Sequence, residues 1–139
     1  MFSLLLVTFL STDLSAVKSE PVLEKRVHRA LDCAQENLTE ARKHYESGDD
    51  GALKKALEQT AEATEYALTT LEDMGKHPSR NVRNYKPAEL RVRELLRRIT
   101  TLRNDASIDQ RPSVVECESR LNAVHEKLLE GVMSRKPRG

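Results

Sequence analysis

Four stretches of the chain repeat apolar residues at intervals of four and three. The first series is Val27, Leu31, Ala34, Leu38, Ala41 and Tyr45. The second is Leu53, Leu57, Thr60, Thr64, Ala67, Leu71 and Met74. The third is Val92, Leu95, Ile99, Leu102 and Ala106, and the fourth is Val114, Cys117, Leu121, Val124 and Leu128. A half-buried strand alternates with period two, so this spacing does not describe a sheet. On a helix it collects the apolar side chains into one stripe. Four such stripes on one chain can cover one another. The expectation is an all-α protein, an antiparallel up-down-up-down four-helix bundle with helices over about residues 21–47, 51–74, 87–104 and 112–133.

Composition agrees with that class. The two Phe, Phe2 and Phe9, lie in the first ten residues, and there is no Trp. A core over residues 20–134 must therefore come from Leu, Val, Ile and Ala, which suits close-packed helices better than a sandwich of strands. Local punctuation supports the boundaries. Gly48 suits the residue just after a helix, Asp49 and Asp50 suit the cap of the next, and Ala56 and Ala63 allow close approach. Gly75 and Pro78 end the second helix. Pro87 reads as the first residue of the third, with Glu89 in its first turn. Ser113-x-x-Glu116 has the form of a capping box for the fourth. One helix docking on a second chain, leaving a three-helix domain, is the structural alternative.

Residues 1–10, MFSLLLVTFL, are uncharged and apolar. A spanning helix needs about 20 such residues. The run instead has the length of a secretory signal core, and Ala16 follows small and polar residues that suit cleavage. Residues 1–16 are thus read as a signal peptide, giving a secreted or periplasmic protein with no membrane span after its removal. The missing basic residues before the run and the bulky Leu14 fit this less well. If the segment is instead an apolar helix packed on the domain, the protein is cytoplasmic. Residues 135–139 read as a basic, disordered tail.

Two cysteines in an exported chain invite a disulfide. In the expected bundle, Cys33 and Cys117 differ in height by roughly 10 Å, whereas a bridge needs Cα atoms within about 7 Å. They are read as free thiols, with Cys117 on a stripe and Cys33 off it.

Catalytic signatures are lacking. No Glu is followed three residues later by His, as inward-facing di-iron sites require. No nucleophile elbow, phosphate loop or haem-attachment motif occurs. Glu24/His28 and Glu40/His44 lie off the stripes, His125 borders one, and the acids are all placed off the stripes. The expectation is a non-enzyme without metal or cofactor. Asn37-Leu38-Thr39 matches a glycosylation sequon but lies mid-helix.

Charge is uneven although the net is +1. From Asp32 to Asp73 eleven acids face four bases, a balance of −7; from Lys76 to Arg103 nine bases face two acids, a balance of +7. One reading has the arginines of the third helix pairing with acids of the second, which sets helix pairing. The other has an irregular basic loop over residues 76–86 that binds anions. Its candidate residues are Lys76, Arg80, Arg83, Tyr85, Lys86 and Arg91, with Asn81 and Asn84 as hydrogen-bond donors and Tyr85 as a stacking platform. The functional expectation is a protein–protein interaction role, with an unidentified partner or by self-association. The alternative is binding of a polyanion: nucleic acid, phosphate or anionic glycan.

Overall fold

The computed structural model describes residues 14–74 and 78–133, with side chains described from residue 84 onward in the second segment. The apolar run read as an export signal, Lys76 and the basic tail lie outside the described residues. The described chain is helical, with no strand: α1 Leu14–Lys18, α2 Leu23–Ser47, α3 Asp50–Met74, α4 Pro78–Asp105 and α5 Arg111–Met133.

Gly48 reverses the chain between α2 and α3. It lies in the left-handed region at φ 78°. Its N–H donates to the Tyr45 carbonyl at 3.2 Å, and the Asp49 N–H donates to the His44 carbonyl at 3.0 Å. Together these form the Schellman closure of a helix end. Asp49 then caps α3 by accepting the Ala52 N–H on Oδ1 at 3.1 Å.

Two boundaries differ from expectation. Residues 78–86 are not an irregular loop but the first turns of α4, and Pro87 lies inside that helix. Pro78 fills the first helical position as well as Pro87 would. An interior proline forfeits one backbone bond, which costs about 3 kcal/mol; at Pro87 the residue faces water. The cap of α5 also moves. Ser107 Oγ accepts the Gln110 N–H at 3.4 Å and Gln110 Oε1 accepts the Ser107 N–H at 3.4 Å. This reciprocal pair is the capping box, and Ser113, expected to cap, sits inside the helix.

Register follows from the side-chain pairs. Arg91 meets Asp32, Arg98 meets Thr39, and Tyr45 Oη donates to the Asp105 carbonyl at 2.7 Å, so α4 runs parallel to α2. Arg120 meets Glu65 and Gln110 meets Asp50, so α5 runs parallel to α3. Glu118 accepts from Thr100 and His125 meets Glu89, so α4 and α5 are antiparallel. α2 and α3 make the most extensive contact, followed by α4 with α5 and α3 with α5. α2 with α4 is sparser, and α3 with α4 sparser still. The expectation that the arginine helix lies beside the acidic second helix is therefore overturned. α3 buries a broad arc of Leu53, Ala56, Leu57, Ala61, Ala63, Ala67, Leu68 and Leu71. That arc is covered by α2 and α5, leaving little of it for α4.

The third and fourth stripes are buried residue for residue, and the first two are wider than a heptad seam. Ala30 and Cys33 join the core on α2. So does Asn37, which donates to the Cys33 carbonyl at 2.9 Å and to its Sγ at 3.4 Å. The sequon asparagine is thus internal. Thr60 and Thr64 are buried on α3, each donating its hydroxyl to the carbonyl four residues back, at 2.9 and 2.8 Å. Such back-bonding satisfies a buried hydroxyl without a tertiary partner. Neither cysteine is in a disulfide and both are buried, so Cys33 belongs to the core after all. α1 docks through buried Val17, and Lys18 Nζ lies 5.4 Å from the centre of the Tyr66 ring. No long helix is detached. Among the described residues, no helix is long and apolar enough to cross a membrane.

Candidate functional site

Of the six candidate residues, Tyr85, Lys86 and Arg91 have described side chains, and these three do not converge. Lys76 lies outside the described residues; Arg80 and Arg83 fall on the first turns of α4. Tyr85 and Arg91 are six positions apart on that helix, roughly 240° around its axis, and they serve opposite neighbours. The Tyr85 ring lies on Gly131 of α5: a Cβ at Gly131 would stand 2.4 Å from two ring carbons. Burial, with the nearby Glu72 charge second, raises the Tyr85 pKa above the usual phenol value. Tyr85 is therefore a strut between α4 and α5 rather than a stacking platform. Arg91 turns to α2, where Nη2 lies 2.6 Å from Asp32 Oδ1 and also contacts Gln35 Oε1, while Nη1 is 3.4 Å from the His28 carbonyl. Lys86 is exposed.

Other arginines of α4 also have partners within the fold. Arg93 bonds Glu89, Arg97 bonds Glu94 on its own helix, and Arg98 donates to the Thr39 hydroxyl at 3.0 Å. Arg103 pairs with Glu118 at 3.4 Å. These contacts tie α4 to α2, to α5 and to itself.

One functional-looking group is a carboxylate placed off the stripes by sequence reasoning. Glu89 is 1% exposed, inside the α4–α5 contact. Its Oε2 accepts Arg93 Nε at 3.0 Å and Nη2 at 2.8 Å, and lies 2.8 Å from His125 Nε2. A signal for it was present: stepping three residues back from Val92 continues the third stripe onto position 89, and His125 stands four after Leu121. Burial pushes the Glu89 pKa up, but hydrogen bonds from His125 and Arg93 and their charges outweigh it, so the net shift is downward. The carboxylate is thus held ionised by its neighbours, a clamp rather than an acid poised to give up a proton. Cys117 is the opposite case. Burial pushes its thiol up to about 12, against the pull of Arg120, so it is not a nucleophile near neutrality.

Among the described residues the seam between α2 and α4 is open in two places, and a small cleft of about 20 Å³ also lies between α3 and α5. Near the start of the α2–α4 seam is a cleft of about 20 Å³ touched by His28, Pro87 and Arg91. Farther along lies a larger one, about 230 Å³, lined by Leu38, Arg42, Arg97, Arg98, Thr101 and Leu102. Arg91 lines the first of these and not the second. Sequence reasoning placed the binding residues at the start of α4; the geometry brings Arg97, Arg98 and Arg42 together instead. Their convergence depends on α2 lying beside α4 in parallel register, which periodicity does not encode. Among the described residues no group of His, Cys, Asp and Glu is placed to hold a metal ion. No protein-family model matches the chain, and no match is found among curated proteins or solved structures.

Two outcomes follow from these contacts. Gly131→Ala should lower stability despite the better helix propensity of Ala, because overpacking costs about 1–3 kcal/mol against about 1 kcal/mol gained. Adding Tyr85→Ala should turn the same change stabilising relative to Tyr85→Ala alone, as read by urea unfolding. Glu89→Gln should cost about 1–3 kcal/mol at pH 7 and flatten the acid limb. A carboxyl whose folded pKa lies below its unfolded one stabilises above the unfolded value and loses that contribution as pH falls through the folded one. The gap between wild type and variant should therefore shrink between pH 7 and pH 3; an unchanged gap would remove Glu89 from the clamp.

Proposed function

We propose that this chain is a non-catalytic protein-interaction module: an exported up-down-up-down four-helix bundle that docks another protein on an outer face. The observation that carries the reading is the open α2–α4 seam, with apolar side chains at its floor and arginines at its rim. Among the described residues the apolar stripes of the four long helices are buried almost throughout, so an unburied coiled-coil seam is not the means of association. The parallel α2–α4 and α3–α5 registers, with tight reversal at Gly48, support the bundle. The bound state of Glu89 and the high pKa of Cys117 favour binding over catalysis.

Polyanion binding through residues 76–86 is the weaker alternative. Tyr85 and Arg91 face different neighbours, and Arg91 and Arg93 bond Asp32 and Glu89. A photo-crosslinking residue at Thr101, at Glu58 on α3 or at Glu126 on α5 should give a discrete protein adduct in the native host from at least one position. No adduct from any of them, together with salt-dependent retention on heparin, would replace the interaction reading with the polyanion one. Export predicts that N-terminal sequencing of the native protein starts at Val17; a chain still carrying residues 1–16 would withdraw that part.

A further inference from the structure

The larger cleft of the α2–α4 seam has a composition that specifies its occupant. Three guanidinium groups line it, from Arg42, Arg97 and Arg98, and no carboxylate does. The acids that these arginines meet stand on the outer flanks: Glu46 and Asp105 for Arg42, Glu94 for Arg97. Those carboxylates are 60%, 45% and 49% exposed. Ion pairs this exposed contribute about 0–1 kcal/mol each, so a carboxylate arriving from outside can exchange with them at little cost. Arg98 donates to the neutral hydroxyl of Thr39 rather than to a carboxylate. The floor is apolar, formed by Leu38 and Leu102, each 2% exposed.

Size and shape narrow the class further. A volume of about 230 Å³ is below the roughly 300–1,000 Å³ of small-molecule pockets, and suits one or two inserted side chains. The walls are two parallel helices in register, with Arg91 opposite Asp32 and Arg98 opposite Thr39. The lining spans Leu38 to Arg42 on α2 and Arg97 to Leu102 on α4, roughly 6–8 Å, little more than one helical turn. A cleft of that length takes one apolar anchor of an amphipathic helix laid along the seam. No aromatic side chain lines the cleft to stack on a base, which disfavours single-stranded nucleic acid. A second copy is also disfavoured. α3 carries the acids Glu58, Glu62, Glu72 and Asp73, but its apolar stripe faces inward and is fully used.

We propose that the groove between α2 and α4 is the docking site for an acidic amphipathic helix of a partner protein. One apolar side chain of that helix seats over Leu38 and Leu102, and its flanking carboxylates take Arg42, Arg97 and Arg98. The proposal rests on reading the chain as an interaction module and names the surface and partner chemistry for it.

Fluorescence anisotropy on the full chain tests this. The probe is a labelled helical peptide with Leu at i, i+4 and i+7 and Glu at the flanking positions. Companion peptides replace Glu by Lys or Leu by Ala. The Glu/Leu peptide should bind, and both companions should bind at least about ten-fold more weakly. Arg98→Ala should weaken binding about ten-fold, and Thr101→Trp, which plugs the cleft from an exposed position, should abolish it. Lys127→Ala, on the exposed face of α5, should change nothing, and unchanged circular dichroism melts would show that the variants are folded. Equal binding by all variants, or binding of the Lys peptide as tightly, would overturn the proposal. So would displacement of the Glu/Leu peptide by heparin at physiological salt. If the peptide fails to bind while a crosslinker at Glu58 or Glu126 captures a partner, the groove falls and the interaction reading stands. If those positions capture nothing either, both fall.

Discussion

Close approach of α2 and α3 is the constraint on which the remaining contacts depend. Ala30, Ala34 and Ala41 on one helix and Ala56, Ala63 and Ala67 on the other are all at most 5% exposed. Small side chains let two helix surfaces meet over their whole length, and the Schellman turn at Gly48 holds the reversal that this requires. Alanine alone buries little area. The main gain comes from Leu31, Leu53, Leu57 and Leu71, each nearly inaccessible, at about 1.5–3 kcal/mol for a fully buried large apolar side chain. Once the hairpin closes, α3 still presents an apolar arc, and α5 covers it with Val114, Cys117, Leu121, Val124 and Leu128. α4 comes last in this order. It packs mainly on α5 and meets α2 along a narrower line, and that inequality opens the seam.

Charges then decide how the second hairpin sits on the first. The segment around α4 is strongly positive, and the α2–α3 hairpin strongly negative. Simple neutralisation would lay α4 on α3. Apolar burial is worth far more than exposed ion pairs, and α3 is already covered on both sides. The arginines therefore settle for Asp32 and Thr39 on α2, Glu118 on α5 and acids of their own helix. Glu65, an acid of α3, is taken instead by Arg120 of α5, with Nε 2.8 Å and Nη2 2.6 Å from the carboxylate. Electrostatics here selects register among arrangements that hydrophobic burial has already limited.

How much of this was legible in the sequence depends on whether a feature is local. The stripes of α4 and α5 read correctly because a seam of period 3.5 has one interpretation. Gly48 and Asp49 read correctly because few residues suit a left-handed turn and a cap. Pro87 misled because a proline favours the first helical turn but is also tolerated inside a helix whose face is solvated. Ser113-x-x-Glu116 misled because Ser107-x-x-Gln110 carries the same chemistry six residues earlier. Helix adjacency was illegible in principle: a periodic stripe names the face that is buried, not the neighbour that buries it. The groove residues Arg42, Arg97 and Arg98 are distant in sequence and meet only through that adjacency, so no local pattern could have joined them. Glu89 was legible but read as a first-turn acid suiting the helix dipole, because Pro87 was taken as the start of the helix.

That residue bears on the groove without touching it. α4 is held toward α5 by Glu89 on His125 and the Tyr85 ring on Gly131, and farther along by Thr100 and Arg103 on Glu118. It is held toward α2 by Arg91 on Asp32, by Arg98 on Thr39 and at its end by Asp105 on Tyr45. Toward α5 the Glu89 carboxylate is buried, whereas toward α2 the Arg98–Thr39 and Tyr45–Asp105 hydrogen bonds are exposed and individually weak. The distance between the walls of the groove is therefore set mainly by how firmly α4 is seated on α5. A buried carboxylate whose Oε2 takes three contacts restricts the arrangement of its neighbours, where an apolar side chain at position 89 would tolerate several sliding registers. On that account the polar clamp, at some expense in desolvation, fixes the position of a helix whose opposite face must remain only loosely covered for the seam to stay open.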